Sequence, residues 1–198
     1  MNLALFDFDG TITTADTWTP SLRFAVRPAR LALCRVRLAP VVIAYRAGFI
    51  RAGFGRQLAA RIAFTGADAD VVRKRGAEYA SQVLPMVVRA EVVERIAWHK
   101  REGDHVVVVS ASLDAYLMPW CDKHSLECVC TTLEQRDGRL TGRCLDGDCS
   151  GIEKARRIRA RYELDTYPVI HAYGDSEDDR AMLALAHRRY FRGQEVTI

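Results

Sequence analysis

The stretch LALFDFDGTITTADTW, Leu3 to Trp18, decides the fold. Apolar and aromatic side chains fill Leu3 to Phe6, and two carboxylates, Asp7 and Asp9, stand where that run gives out. A short apolar run closed by Asp-Gly reads as a buried strand, LALFDF, followed by a turn. Two acids at its mouth repel each other. Unit charges ~4 Å apart interact by about 4 kcal/mol at an effective dielectric near 20. Either one acid keeps its proton or a cation lies between them.

Working outward, strand and helix patterns alternate. Val106–Ser110 is a continuous valine run, as expected of a parallel strand covered on both faces. Before it, VRAEVVERIAWHKREG carries Val88, Val92 and Ile96 on one side and stops at Gly103, a helix. After it, SLDAYLMPWCDKH reads as a helix that breaks or ends near Pro119. LECVCTTLEQ and RLTGRC flank Arg136-Asp137-Gly138-Arg139, a hairpin signal. Ser150-x-x-Glu153 has the form of a capping box and opens a helix with Ile152, Ala155, Ile158 and Tyr162 on one face. PVIHAYGD is a last buried strand and SEDDRAMLALAHR a last helix. This alternation predicts an α/β core, a mainly parallel sheet with helices on both faces. Residues 13–85 break the pattern and read as a helical insertion, which leaves 1–12 and 86–198 as the core.

At 198 residues the chain has room for one core and a modest inserted subdomain. Its net charge of +4 is mild but unevenly spread. No acid occurs between Asp16 and Asp68, whereas Arg23, Arg27, Arg30, Arg35, Arg37, Arg46, Arg51, Arg56 and Arg61 all lie there. Such a segment is either a solvated helical face or a surface for an anionic partner, a phosphorylated substrate or a membrane surface before nucleic acid. No basic and apolar leader precedes the first strand. LAPVVIAYRAGFI is interrupted by Arg46 and falls short of the ~20 apolar residues of a span, so a cytoplasmic protein without a transmembrane segment is expected. The six cysteines form no C-x-x-C pair and read as free thiols.

Ligands of a parallel α/β sheet bind beyond the carboxyl ends of its strands. There stand Asp7 and Asp9, then Ser110-Ala111-Ser112, then Gly174-Asp175-Ser176-Glu177-Asp178-Asp179, with Lys154 in the first turn of its helix. An acid-rich, all-oxygen set selects a hard cation, and Mg2+ is the usual choice when phosphate completes the octahedron. Ser110, the Ala111 N–H and the Lys154 ammonium would hold the phosphate. A carboxylate nucleophile attacking phosphorus is an established form of covalent catalysis.

The ordered set DFDGT, a strand-end Ser, a helix-borne Lys and GDSEDD resembles the haloacid dehalogenase superfamily of phosphatases, with motifs D-x-D-x-T, S/T, K and G-D-x-x-x-D. The resemblance spans residues 7 to 179 and covers the core, not the insertion. It implies a Rossmann-like three-layer core with a small helical cap at 13–85 and a Mg2+-dependent phosphomonoesterase acting on a small phosphorylated metabolite. By position, Asp7 matches the nucleophile that becomes an aspartyl-phosphate and Asp9 the general acid and base. Ser110, Ala111 and Lys154 match the phosphate holders. Asp7, the Asp9 carbonyl and Asp175 match the metal ligands, and Asp179 the outer acid, a role for which Asp178 and Glu177 compete. An insertion directly after the first motif resembles the phosphoserine phosphatase branch, in which an acid grips the substrate amine; Asp16 is the nearest counterpart. Asp16-Thr17-Trp18 and CSGIEKARRI are similar to the bacterial group that includes phosphatidylglycerophosphate phosphatases, although Arg35, Arg37 and Arg46 interrupt the apolar segment of that lipid enzyme.

The same machinery serves a lipid-phosphate phosphatase, or a mutase or phosphotransferase passing the phosphoryl group to a second hydroxyl. A non-catalytic module for anionic lipids or phosphorylated ligands would use the arginine-rich insertion but gains nothing from the carboxylates.

Overall fold

The computed structural model describes residues 1–50 and 52–196. Seven strands form one sheet in the order β4-β3-β2-β1-β5-β6-β7. They are β1 Leu3–Phe6, β2 His105–Leu113, β3 Glu127–Arg136, β4 Arg139–Leu145, β5 Ile170–Gly174, β6 Arg188–Phe191 and β7 Gln194–Val196. The central five run parallel; β4 and β7 are antiparallel edges. The helices are α1 Trp18–Ala25, α2 Pro28–Arg46, α3 Ala52–Phe64, α4 Ala69–Gln82, α5 Ala90–Arg101, α6 Asp114–His124, α7 Ile152–Arg161 and α8 Arg180–Leu183.

Alternation along β1 and β2 builds three layers. Ala4, Phe6, Val106 and Val108 face one apolar cluster, shared with Ile96 of α5 and Leu117 of α6. Leu3, Leu5, Val107 and Val109 face the other, shared with Ile158 of α7 and Met182 of α8. Fully burying each such side chain contributes about 1.5–3 kcal/mol, so both faces anchor the central strands.

Residues 13–85, between β1 and β2, hold α1 to α4. The two ends of this segment run side by side: Thr14 donates to the Val87 carbonyl at 2.8 Å and Arg89 to that of Ile12 at 2.8 Å. Gly76 brings α4 against α6, where a Cβ would stand 2.1 Å from the Ala115 carbonyl oxygen. The same carbonyl loses its helical donor because Pro119 lies four residues on.

Pro119 therefore does not end its helix, which continues to His124. The capping box at Ser150 does not form. Gly151 takes the N-cap place at φ 57°, ψ −128°, a conformation suited to glycine, and Glu153 binds Arg156 instead. Ala155, Ile158 and Tyr162 are buried as the spacing predicts, but Ile152 is exposed. The last helix shrinks to a single short turn and α8, and β6 and β7 follow it, joined by Arg192-Gly193 with both φ positive. The Asp137-Gly138 hairpin forms as read, with φ 49° and 74°.

At the amino ends of the strands a second polar cluster is buried. His99 contacts Asp104 at 2.8 Å and the Tyr173 hydroxyl at 2.9 Å. His171 stands beside it with a ring centroid 4.8 Å away, and its Nδ1 has no hydrogen-bond partner among the described residues.

Candidate active site

Asp7 directly follows β1 and Asp175 directly follows β5, so both meet at the carboxyl edge of neighbouring parallel strands. The turn after Asp7 is held by Thr13, whose amide and hydroxyl both donate to the Phe8 carbonyl, at 2.9 Å and 3.2 Å. Gly10 has φ +84°, and a Cβ there would stand 2.3 Å from Asp175 Oδ2. Only glycine lets the two segments approach this closely.

Lys154 joins the acids. Its Nζ donates to Asp7 Oδ1 at 2.5 Å and to Asp179 Oδ1 at 2.6 Å, and the residue is 2% exposed. Burial alone would lower the lysine; the two carboxylates outweigh it and hold the ammonium well above its usual range. Burial pushes Asp7 up to about 7 against the pull of Lys154, and the Asp179 charge adds to the rise. Asp179 goes the other way: its burial is overcome by Lys154 and by donors from Ser176, which hold it low. Its second oxygen accepts from the Asp175 amide at 3.1 Å and from the Ser176 amide and hydroxyl, both at 2.9 Å. Ser176 and Asp179 thus form a true capping box that also orients the lysine's partner.

Asp9 is held from two sides, by the segment that leads into α1 and by β2. The Thr17 amide and hydroxyl donate to its Oδ1 at 2.7 Å and 2.6 Å, and the Ser112 hydroxyl donates to Oδ2 at 2.5 Å. Ser112 in turn accepts from Tyr116 at 2.7 Å, and the Tyr79 hydroxyl of α4 donates to the Thr17 carbonyl at 3.0 Å. Burial raises the Asp9 pKa despite these donors.

Asp7, Asp9, Asp16, Ser110, Ala111 and Lys154 all line one cavity of about 100 Å³. Ser110 lies inside β2 rather than at its end; the strand runs to Leu113 with an irregularity after Val109, so α6 begins only at Asp114. Ser110 Oγ accepts from the Ser112 amide at 3.1 Å. Asp16 is partly committed to capping α1 through the amides of Trp18 and Thr19.

Arg56 of α3 also lines this cavity, and sequence reasoning did not single it out. It forms a bidentate pair with the buried Asp148, at 3.0 Å and 2.8 Å, and reaches Asp178 at 3.4 Å. One arginine among the nine between Asp16 and Asp68 carries no local signal of this role. Ser112, read as a strand-end residue, and Thr17 were given no role toward Asp9, because only the packing of α1 and β2 brings them to it.

One carboxylate oxygen from each of Asp7, Asp175 and Asp179 lies within 4.8 Å of the other two. Those of Asp179 are saturated by Lys154 and the capping box, whereas Lys154 takes only Oδ1 of Asp7 and no described residue donates to the Asp175 carboxylate. Burial, then the Asp179 charge, raises Asp175. Two under-bonded, partly desolvated carboxylates in an all-oxygen setting fit a hard divalent cation.

Residues 4–184 match the haloacid dehalogenase-like hydrolases, and the chain belongs to that family. Among curated relatives, Protein CicA of Caulobacter vibrioides is 29% identical over 201 residues, covering 97% of this chain and 87% of that protein. A protein of unknown function from Bordetella pertussis Tohama I superposes with a TM-score of 0.81 at 23% identity, over 95% of this chain and 88% of the other. A probable phosphoserine phosphatase from Vibrio cholerae superposes with a TM-score of 0.70 at 19% identity, over 96% of this chain and 55% of the other. These likenesses show the fold, a Rossmann-like α/β core.

Proposed function

We propose that the protein is a cytoplasmic Mg2+-dependent phosphomonoesterase for a small phosphorylated metabolite, working through an aspartyl-phosphate on Asp7. Residues 1–12 and 86–198 are its catalytic core and 13–85 its cap. The observation that carries the reading is the pairing of Asp7 with the sealed Lys154 ammonium, one carboxylate oxygen left over, in a cavity shared with Asp9 and Ser110. Family membership and the fold shared with a probable phosphoserine phosphatase support it. A cavity of about 100 Å³ favours a phosphoryl group on a small alcohol.

Asp7 and Asp175, with the Asp9 carbonyl, would hold Mg2+, which when bound supplies charge neutralisation on the phosphoryl oxygens. Ser110, the Ala111 amide and Lys154 orient the phosphate. The free oxygen of Asp7 forms a bond to phosphorus as the phosphorus–alkoxide bond breaks. Asp9, its pKa raised, gives its proton to the departing oxygen. The Asp9 carboxylate then takes a proton from water, whose oxygen attacks phosphorus; inorganic phosphate leaves and Asp7 is regenerated.

Phosphate release from a panel of phosphomonoesters, with Mg2+ and with chelator, tests the reading. Asp7→Asn should keep the fold and lose turnover by at least about 10³-fold. Substantial activity in that variant, or no hydrolysis of any ester by the wild type, rejects it.

A further inference from the structure

The arginine-rich insertion contains a feature that the catalytic reading leaves unused. Helix α2 is apolar on two opposite faces. Leu31, Leu38 and the buried Cys34 pack inward, and Cys34 is its one fully buried residue. On the other side Leu33, Val36, Pro40 and Ile43 follow one another at spacings of three, four and three, a helical stripe. All four face solvent, Val36 being 74% and Ile43 69% exposed. By helical spacing Arg37 borders this stripe on one side and Arg35 and Arg46 on the other, whereas Arg30 turns its guanidinium to the Ala63 carbonyl at 3.2 Å. Beyond the helix, Phe49 is 83% exposed and Phe54 of α3 58% exposed.

We infer that this outward face of α2 docks on the surface of an anionic phospholipid bilayer. An outward apolar stripe with arginines along both edges is the pattern of a helix lying in the interface plane, with guanidinium groups reaching the headgroups and apolar side chains reaching below them. The charge is one-sided, since no acid lies between Asp16 and Asp68 to repel acidic lipid. A second copy of this face would set arginines against arginines. Nucleic acid would leave the Val36–Ile43 stripe unburied. No helix among the described residues is long and apolar enough to cross a membrane, so the contact is peripheral. The inference goes beyond the phosphatase reading and does not depend on it.

The test is co-sedimentation of the full chain, without substrate, with phosphatidylcholine vesicles and with mixed phosphatidylcholine–phosphatidylglycerol vesicles. Binding is expected to the mixed vesicles alone, weakening as salt rises. The double variant V36E/I43E should lower apparent affinity about tenfold or more, because two apolar side chains that would enter the bilayer become charged. R35E/R46E should weaken binding to the mixed vesicles. Circular dichroism and turnover of a soluble phosphate ester should stay at wild-type levels in both. No binding to mixed vesicles, equal binding by V36E/I43E, a dimer in size-exclusion chromatography that V36E/I43E splits, or capture of duplex DNA in place of vesicles would each overturn the inference. No ester turnover by the wild type, with its vesicle binding intact, would count against the phosphatase reading alone.

Discussion

Lys154 Nζ stands 2.5 Å from Asp7 Oδ1, although the two residues are 147 positions apart. Their contact ties the first strand to the first turn of α7 across the sheet's edge and leaves neither charge facing water. It also divides the labour of the acids. Asp7 keeps one oxygen clear of the lysine, while Asp179 spends both on holding the ammonium and the turn beside it.

Lys154→Met should therefore destabilise the protein strongly. Two buried carboxylates lose their counter-ion, a change worth roughly 3–5 kcal/mol. Urea unfolding reads it. The deficit should be greater at pH 8 than at pH 5, because protonation of Asp7 and Asp179 removes their repulsion. A loss below about 1 kcal/mol would mean that solvent reaches the cluster.

Mg2+ should raise the melting temperature of the wild type, since a ligand at about 100 times its Kd adds about 2.7 kcal/mol. Asp175→Asn should erase most of that gain while leaving the metal-free melt close to wild type. An undiminished shift in the variant would remove Asp175 from the ligand set.

Arg56→Ala should loosen the insertion. Asp148, buried and bidentately paired, is left as an unmatched charge, at a cost of about 1–3 kcal/mol. Limited proteolysis of α2 and α3 should quicken, and R56A/D148N should recover part of the loss because the two residues are coupled. Equal effects of the single and double variants would contradict the coupling.

His171 ties stability to pH. Burial first, then the neighbouring His99, lowers its pKa to about 4. A depressed histidine favours the neutral form, so its contribution is whole above the ordinary pKa near 6.5 and fades as pH falls from there toward 4. The wild type should lose stability over that window from this group. His171→Leu should flatten this part of the profile in a plot of unfolding free energy against pH. A parallel profile would place the acid sensitivity elsewhere.

The core was readable because its signals are local. The apolar run of β1, the valines of β2 and the Asp137-Gly138 turn each declare themselves within a few residues. Acids and hydroxyls at strand ends were readable for a topological reason: parallel strands deliver their carboxyl ends to one edge. The partners of Asp9 were not, because Thr17 reaches it through the packing of α1 and α4, which no spacing records. Arg56 was hidden among arginines alike in sequence and unlike in place. Ser150 and Glu153 misled, since glycine between them took a conformation that turned the capping residues apart. β7, three residues long, is too short for its periodicity to register.

The hydrogen bonds between Thr14 and Val87 and between Ile12 and Arg89 have a consequence for how this architecture can change. Because the ends of the insertion are already clamped together, lengthening or replacing what lies between them costs little closure entropy; a doubling of length adds only about 0.6 kcal/mol. The catalytic framework can thus receive differently shaped modules at this socket without retuning its own folding, and specificity can diversify there while the chemistry stays put.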